Sequence, residues 1–397
     1  MSTVGLGGWR LARTGRLRLA AAGTLTVVGL LAAACGSDSA DSSKASGSTD
    51  TGKAKTATSA AAAGGLDALV AAAKAEGKLN VITLPPDWAN YGEIIAKFSA
   101  TYGIKVTSDN PDGSSADEIT AVKQLRGQSR APDVLDLGNS FALQAASEGL
   151  IAPYQVATWK DIPDSLKESG GQWFSDYGGY VSIAYDTKAV SPAPKSFADL
   201  KNPAYKGKIA INGDPTQAGA AFAAVFAAAL ANGGSFDDIL PGVQYFADLK
   251  KSGNFIPVKG TPATIESGQT PIMIWWDYLN ASAADKAKGK VDLKLNIPSD
   301  GVYANYYTQA ISKTAPHPAA ARLWEEYLYS DEGQNLWLKG RARPVRLEAM
   351  TTAGTVDKTL LAALPEAPKD TRYPTQAQLD KAKQVVNDNW AKLVGGA

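Results

Sequence analysis

The chain of 397 residues contains one cysteine, one histidine and three methionines. A single cysteine has no partner for an internal disulfide, so no disulfide framework staples this fold. A single histidine removes the His-rich metal sites. Neither a G-x-S-x-G turn nor a second carboxylate pair is evident, so a secreted hydrolase lacks its usual machinery and no enzyme activity, metal or cofactor is expected. An excess of either charge is also missing, with 40 basic against 39 acidic residues. No basic run is interleaved with aromatics, which removes nucleic acid as a partner.

What is present begins with Arg10, Arg13, Arg16 and Arg18, followed by an uncharged apolar stretch, Leu19 to Ala34, "LAAAGTLTVVGLLAAA". That stretch falls short of the roughly 20 apolar residues of a membrane span, and it runs directly into Cys35. The arrangement resembles the lipobox of a bacterial lipoprotein signal peptide, with Ala32 where leucine is usual and Leu31 one place earlier. The expectation is a signal peptide over 1–34 and a lipidated Cys35 that anchors the protein to the outer face of the cell membrane. Residues 36–65 contain no Val, Ile, Leu, Met or aromatic residue, which predicts a disordered tether. Setting aside the four arginines leaves 36 of the basic residues against 39 acidic ones.

From Leu66 onward more than 300 residues remain, enough for two domains. Strand and helix alternate along them. "LNVIT" reads as a strand feeding the loop "LPPDWANYG", and a helix over Glu93–Tyr102 follows, with Ile94, Ile95, Phe98 and Tyr102 on one face and Gly103 as its stop. "PDVLDLG" opens into "NSFALQAASEGLI", "GKIAINGDP" into an alanine-rich helix, and a strand over Pro271–Trp275 into "WDYLNAS". This alternation predicts an α/β fold with mostly parallel sheets. The extended segments "GGYVSIAYDTKAV" and "GVYANYYTQAIS" read as two crossovers joining two lobes. The expected division is lobe 1 over 66–182, lobe 2 over 183–299, a return segment over 300–345, and a C-terminal helical segment over 346–397 that packs on lobe 2.

In such sheets ligands bind beyond the carboxyl ends of the strands. The loops there hold Trp88, Asn90 and Tyr91; Ser140 and Phe141; Asp214, Thr216 and Gln217; and Trp276 and Asp277. Asp214 and Asp277 also read as helix N-caps, Asp214 with Gln217 closing a capping box. The start of the alanine-rich helix at Thr216–Gly219 offers unpaired N–H groups to an anion. Tyr306 and Tyr307 fall on opposite faces of a strand, which speaks against a paired ferric ligand. His317 precedes a helix with no carboxylate cluster nearby in sequence.

The order of these pieces, from the lipobox through "DVLDLGNS", "ASEGLIAPY" and "YDTKAVSPAPKSFADLKNPAYKGKIAINGDPTQAG" to "AAARLWEEYLYSDEGQ", resembles the extracellular solute-binding proteins of ABC importers. The similarity is to the branch with polyamine, ferric iron and phosphonate binders. It implies a type II periplasmic-binding-protein clamp, a monomer that passes a small solute to a membrane permease. Within that resemblance, the polyamine pattern falls on Trp88 and Tyr91, Asp214, Trp276, and approximately Asn305 and Tyr307. Asn90 and Gln217 stand where that pattern carries acids, which implies a smaller or less charged ligand. The expected site faces Trp276 and Asp277 of lobe 2 toward Trp88, Asn90 and Tyr91 of lobe 1, with Trp275 packed inward. A cationic amine is the expected ligand, with an aminophosphonate, another organic anion or ferric iron as alternatives.

Overall fold

The computed structural model describes residues 51–395, Asp370 excepted, all within one compact unit. The first lobe opens with α1 (Thr51–Thr56), α2 (Leu66–Glu76), β1 (Lys78–Ile82), α3 (Tyr91–Tyr102), β2 (Lys105–Asp109), α4 (Ser115–Gln124), β3 (Val134–Gly138), α5 (Asn139–Ser147) and β4 (Ile151–Ala152). A long strand β5 (Phe174–Asp186) leads into the second lobe. There follow β6 (Ile209–Ile211), α6 (Gly219–Ala231), α7 (Leu240–Lys251), β7 (Phe255–Lys259), α8 (Pro262–Glu266), β8 (Ile272–Trp276), α9 (Asp277–Lys286) and β9 (Leu293–Asn296). The chain then returns through β10 (Ala304–Ser312), α10 (Pro318–Leu328), α11 (Asp331–Lys339) and β11 (Arg343–Pro344). It ends in α12 (Leu347–Ala353), α13 (Lys358–Ala362) and α14 (Gln376–Leu393).

Local chemistry accounts for these elements. Ile94 and Phe98 of α3 are fully buried one turn apart, and Gly103 closes the helix at φ 69°, donating its N–H to Ser99 O. Ser114 and Asp117 form a reciprocal capping box at the start of α4. In α6 every residue from Ala220 to Ala229 is buried. A helix apolar all round is a core helix, and the small alanines let strands and helices approach it closely.

Strand β5 is the pivot of the architecture. Its first half pairs with β10 up to Tyr180, and from Val181 it pairs with β8 and β9 of the second lobe. The main sheet runs β3-β10-β5-β8-β6-β7, while β1 and β2 form a separate parallel pair. Pairs β6–β7 and β6–β8 are parallel. The pairs that β5 and β10 make with β3, β8 and each other are antiparallel, so the sheet is mixed rather than mostly parallel. The direction in which a crossover strand pairs with its neighbours is a long-range property that the alternation pattern does not encode.

Two further expectations change. Residues 51–65 are ordered, not tether: Ala54, Ala57 and Ala63 are buried, Arg322 Nε donates to Ala57 O at 2.6 Å and Gln155 N to Thr58 O at 2.8 Å. Alanine cannot build a core by itself, but its methyl groups dock well on an already folded helix surface, here that of α2 and α10. Helix α14 packs on α7 of lobe 2 and also reaches α5 of lobe 1. Trp390 meets Phe246 and Phe255 on one side, and Lys383 Nζ lies over the Phe141 ring on the other. The signal-peptide stretch and Cys35 lie outside the described residues.

Candidate functional site

A cavity of about 490 Å³ lies between the lobes. The first lobe supplies the loop after β1 (Thr83, Pro85, Asp87, Trp88), the start of α4 (Ser114, Ser115, Glu118) and Asp136 of β3. Across from these stand Asn212, the start of α6 (Ala218 to Ala220), Trp275 of β8, and Leu279, Ala283 and Lys286 on one face of α9. Tyr307 of the return strand completes the wall. The lobes are in contact around it. Ala116 N donates to Gln217 O at 3.2 Å, Lys259 Nζ to Asp112 O at 2.7 Å, and Lys286 pairs with Asp87 at 3.3 Å. Gly138 and Gly219 approach so closely that a Cβ on Gly138 would sit 2.8 Å from the Gly219 Cα. Only glycine allows the two lobes to meet there.

Three rings form the apolar side. Trp88 meets Trp275 edge-on at 5.7 Å between centroids and Tyr307 at 5.6 Å. The polar side is acidic. Trp88 Nε1 donates to the Tyr177 hydroxyl at 2.8 Å, which donates to Asp136 Oδ2 at 2.7 Å. Glu118 Oε2 accepts the Asp136 backbone N–H at 2.9 Å. Asp136 Oδ1 is buried with no hydrogen-bond partner, as is Trp275 Nε1. Burial pushes the Asp136 carboxyl up to about 7, against the hydrogen bonds from Tyr177 and Tyr91 that favour its charged form. Burial, and then the neighbouring Asp136 charge, pushes Glu118 well above the usual carboxylate range.

The residues expected from the sequence divide between this cavity and elsewhere. Trp88 and Tyr307 line it. Asn90 turns away, donating to Glu93 Oε2 and Leu336 O, and Tyr91 is fully buried with its hydroxyl accepting from Gln309 Nε2 at 2.9 Å. Ser140, Phe141 and Asn305 lie outside the cavity wall; Asn305 Nδ2 donates to the Tyr303 hydroxyl at 3.1 Å. Asp214 accepts from the Thr216 N–H at 2.8 Å and the Thr216 hydroxyl at 2.7 Å, and Gln217 Nε2 donates to Thr216. Helix α6 starts later, at Gly219, so Asp214 closes a local turn and the expected capping box does not form.

The largest correction falls on "WWDY". Trp275 faces the cavity, whereas Trp276, 3% exposed, stacks near Tyr278 and Tyr303 on the other side of β8. Successive strand residues point to opposite faces, so the expected pair was one residue out of phase. Asp277 is wholly buried and accepts Arg343 Nη1 at 2.6 Å and Tyr180 N at 3.0 Å, which makes it an internal ion-pair partner rather than a group presented to a solute. His317 also changes: its Nδ1 lies 2.9 Å from Asp133 Oδ2, a carboxylate 184 residues away in sequence. Tyr306 packs against Tyr373, away from Tyr307.

Trp275, Glu118 and Asp136 were missed. One signal was available: Asp136 is an acid inside the apolar run "VLDLG", and an ionisable group in a buried strand requires an explanation.

Residues 129–370 match the family described as bacterial extracellular solute-binding protein. Among solved structures, AfuA from Actinobacillus pleuropneumoniae, with fructose-6-phosphate bound, is similar at 21% identity and a TM-score of 0.65, over 81% of this chain and 99% of that one. AgtB from A. tumefacien, in complex with agropinic acid, is similar at 16% identity and a TM-score of 0.63, over 81% of this chain and 99% of its own. Iron-bound HitA from Pseudomonas aeruginosa gives 19% identity and a TM-score of 0.57, over 78% and 97%. All three are two-lobed clamps, and the ligands in their names span three chemistries, so the shared fold carries no ligand identity. The chain belongs to the bacterial extracellular solute-binding proteins, extracytoplasmic type II clamps that serve ABC importers.

Proposed function

We propose that this protein captures a small organic cation, a polyamine or another amine, in the cavity between its lobes and delivers it to an ABC permease. The observation that carries the reading is Asp136, a buried acid that lines a cavity together with Trp88, Trp275 and Tyr307 and whose Oδ1 has no hydrogen-bond partner. The cavity wall holds four acidic side chains, Asp87, Asp112, Glu118 and Asp136, against two basic ones, Lys259 and Lys286. Both lysines are engaged with lobe 1, by Asp112 O and Asp87. An ammonium seated here meets a carboxylate on one side and ring faces on the other, each ring contributing about 0.5–2 kcal/mol once water is excluded. In this reading Cys35 carries the lipid that holds the monomeric receptor at the membrane, after removal of residues 1–34.

One feature favours a second reading. Helix α6 has no side-chain cap, and its first residues line the same cavity, so its free N–H groups suit an anion such as a phosphonate or sugar phosphate. Calorimetric titration with putrescine, spermidine, 2-aminoethylphosphonate, inorganic phosphate and ferric citrate separates the two. Heat with the amines supports the cation reading. Binding of phosphate or ferric citrate with none of the amines sinks it.

A further inference from the structure

Asp136 sits at the inner wall of the cavity, 6% exposed, and the titratable groups that face it come from every element packed around it. Glu118 approaches from α4, Tyr91 from α3, Tyr177 and Asp176 from β5, Tyr278 from α9, Glu325 from α10, Tyr329 from the end of α10 and Tyr307 from β10. None of them is cationic. The polar network continues inward, where Gln309 Nε2 donates to both the Tyr91 hydroxyl and Asp176 Oδ2, and both oxygens of Glu325 are buried without partners. Four carboxyls share one region that excludes water, and mutual repulsion there is poorly screened. They cannot all be ionised in the absence of a cation. Asp136 lines the cavity, and one of its carboxyl oxygens, Oδ1, is buried without a hydrogen-bond partner.

We infer that a cation entering this cavity displaces one proton from Asp136, so that capture exchanges a proton for the charge of the ligand. The inference rests on the cation reading of the same cavity. The step is R–NH₃⁺ plus the Asp136 carboxylic acid giving the ammonium–carboxylate pair plus a proton released to water. One O–H bond breaks, and its electron pair stays on the carboxylate. The burial-raised pKa of Asp136, about 7, places the exchange in the range of neutral pH, while burial first and the Asp136 charge second push Glu118, Asp176 and Glu325 well above the usual carboxylate range. A primary amine, with a pKa of about 10, stays charged across the same range. By linkage, affinity for it rises about tenfold per pH unit while Asp136 is protonated in the free protein and levels off once Asp136 is ionised.

The test has a ligand-bound and a ligand-free arm. In the first, putrescine and spermidine are titrated into the protein from pH 5.5 to 8.5, in buffers of low and high ionisation enthalpy. The expected result is a dissociation constant that tightens about tenfold between pH 5.5 and 6.5 and is flat above pH 8. About one proton is released per ligand at the acid end, and Asp136→Asn removes the pH dependence. A dissociation constant that is unchanged across this range, with binding intact, overturns the exchange and leaves the cation reading standing. In the second arm, carbon-13 NMR follows the Asp136 carboxyl in the unliganded protein. A midpoint near 7 supports the exchange, and a midpoint in the ordinary range near 4 overturns it whatever the ligand. If no amine binds at any pH, the cation reading falls and the exchange falls with it.

Discussion

Asp277 in the second lobe and Asp136 in the first are both buried carboxylates on the element that faces the opposite lobe, and their surroundings differ in one respect. Asp277 receives the Arg343 guanidinium at 2.6 Å, and that guanidinium stacks over Tyr180 and donates to Pro365 O at 2.7 Å. The Asp136 carboxyl accepts the Tyr177 hydroxyl at 2.7 Å and has no cation beside it. The charge of the first carboxylate is compensated inside the protein, and it ties the return segment to the second lobe. The second is left to be compensated from outside. A buried acid is therefore read by its partner, and the absence of one in a cavity wall marks the place where a ligand belongs.

The comparison breaks most visibly if the internal partner is removed. Arg343→Ala leaves Asp277 buried and unpaired, and is expected to lower unfolding free energy by about 3–5 kcal/mol, read as the denaturant midpoint. Combining Arg343→Met with Asp277→Asn is expected to restore much of that loss. Trp276→Ala, beside Asp277, is expected to cost about 3–5 kcal/mol of stability by leaving a core cavity, without a direct effect on ligand contact. A Trp276→Ala protein as stable as the parent would contradict the side of β8 assigned to this ring.

Asp136→Asn is expected to behave in the opposite way. Its folded pKa is raised, so the native state binds more protons than the unfolded chain between about pH 4 and 7, and stability falls as pH rises through that window. The variant should lose that decline and be more stable than the parent at pH 8. A variant less stable than the parent at pH 8 would mean that Asp136 is compensated after all. Trp88→Ala, which removes a partly buried ring from the cavity wall, is expected to weaken amine binding about tenfold with a smaller change in stability. Retained affinity would take Trp88 out of the site.

How much of this was legible follows from the same residues. The lobes, the crossover β5 and the loop carrying Trp88 are written in short-range periodicity, which the sequence displays directly. The parity of β8 was not: the alternation says that Trp275 and Trp276 face opposite ways, but only the packing of Tyr278 and Tyr303 decides which one is inside. The role of Asp277 depended on Arg343, 66 residues away, and that of Asp136 on Glu118 and Tyr177, which come from a different helix and strand. Local capping logic, applied to Asp214, named a helix start four residues too early because "DPTQA" forms its own hydrogen-bonded turn first. Long-range pairing of charges is where sequence reading ended and geometry was needed.

A third buried carboxylate sharpens the comparison at its weakest point. Asp133, three residues before Asp136, is wholly buried like Asp277, but its side-chain partner is His317, a cation that itself titrates. The hydrogen bond to Asp133 raises the His317 pKa above its ordinary value, against the opposing effect of burial. A histidine with a raised folded pKa contributes stability that is fully present below its unfolded value near 6.5 and is lost as pH rises through the folded value. His317→Asn should therefore cost about 1 kcal/mol or less, most of it below pH 6.5, with the gap from the parent closing above neutrality. Denaturant midpoints of the two proteins at pH 5.5 and 8.5 decide it. A gap that stays constant means that Asp133 needs only a hydrogen-bond donor. A gap that closes with pH means that it needs the charge, as Asp277 needs Arg343, and that Asp136 alone of the three is left for a ligand to complete.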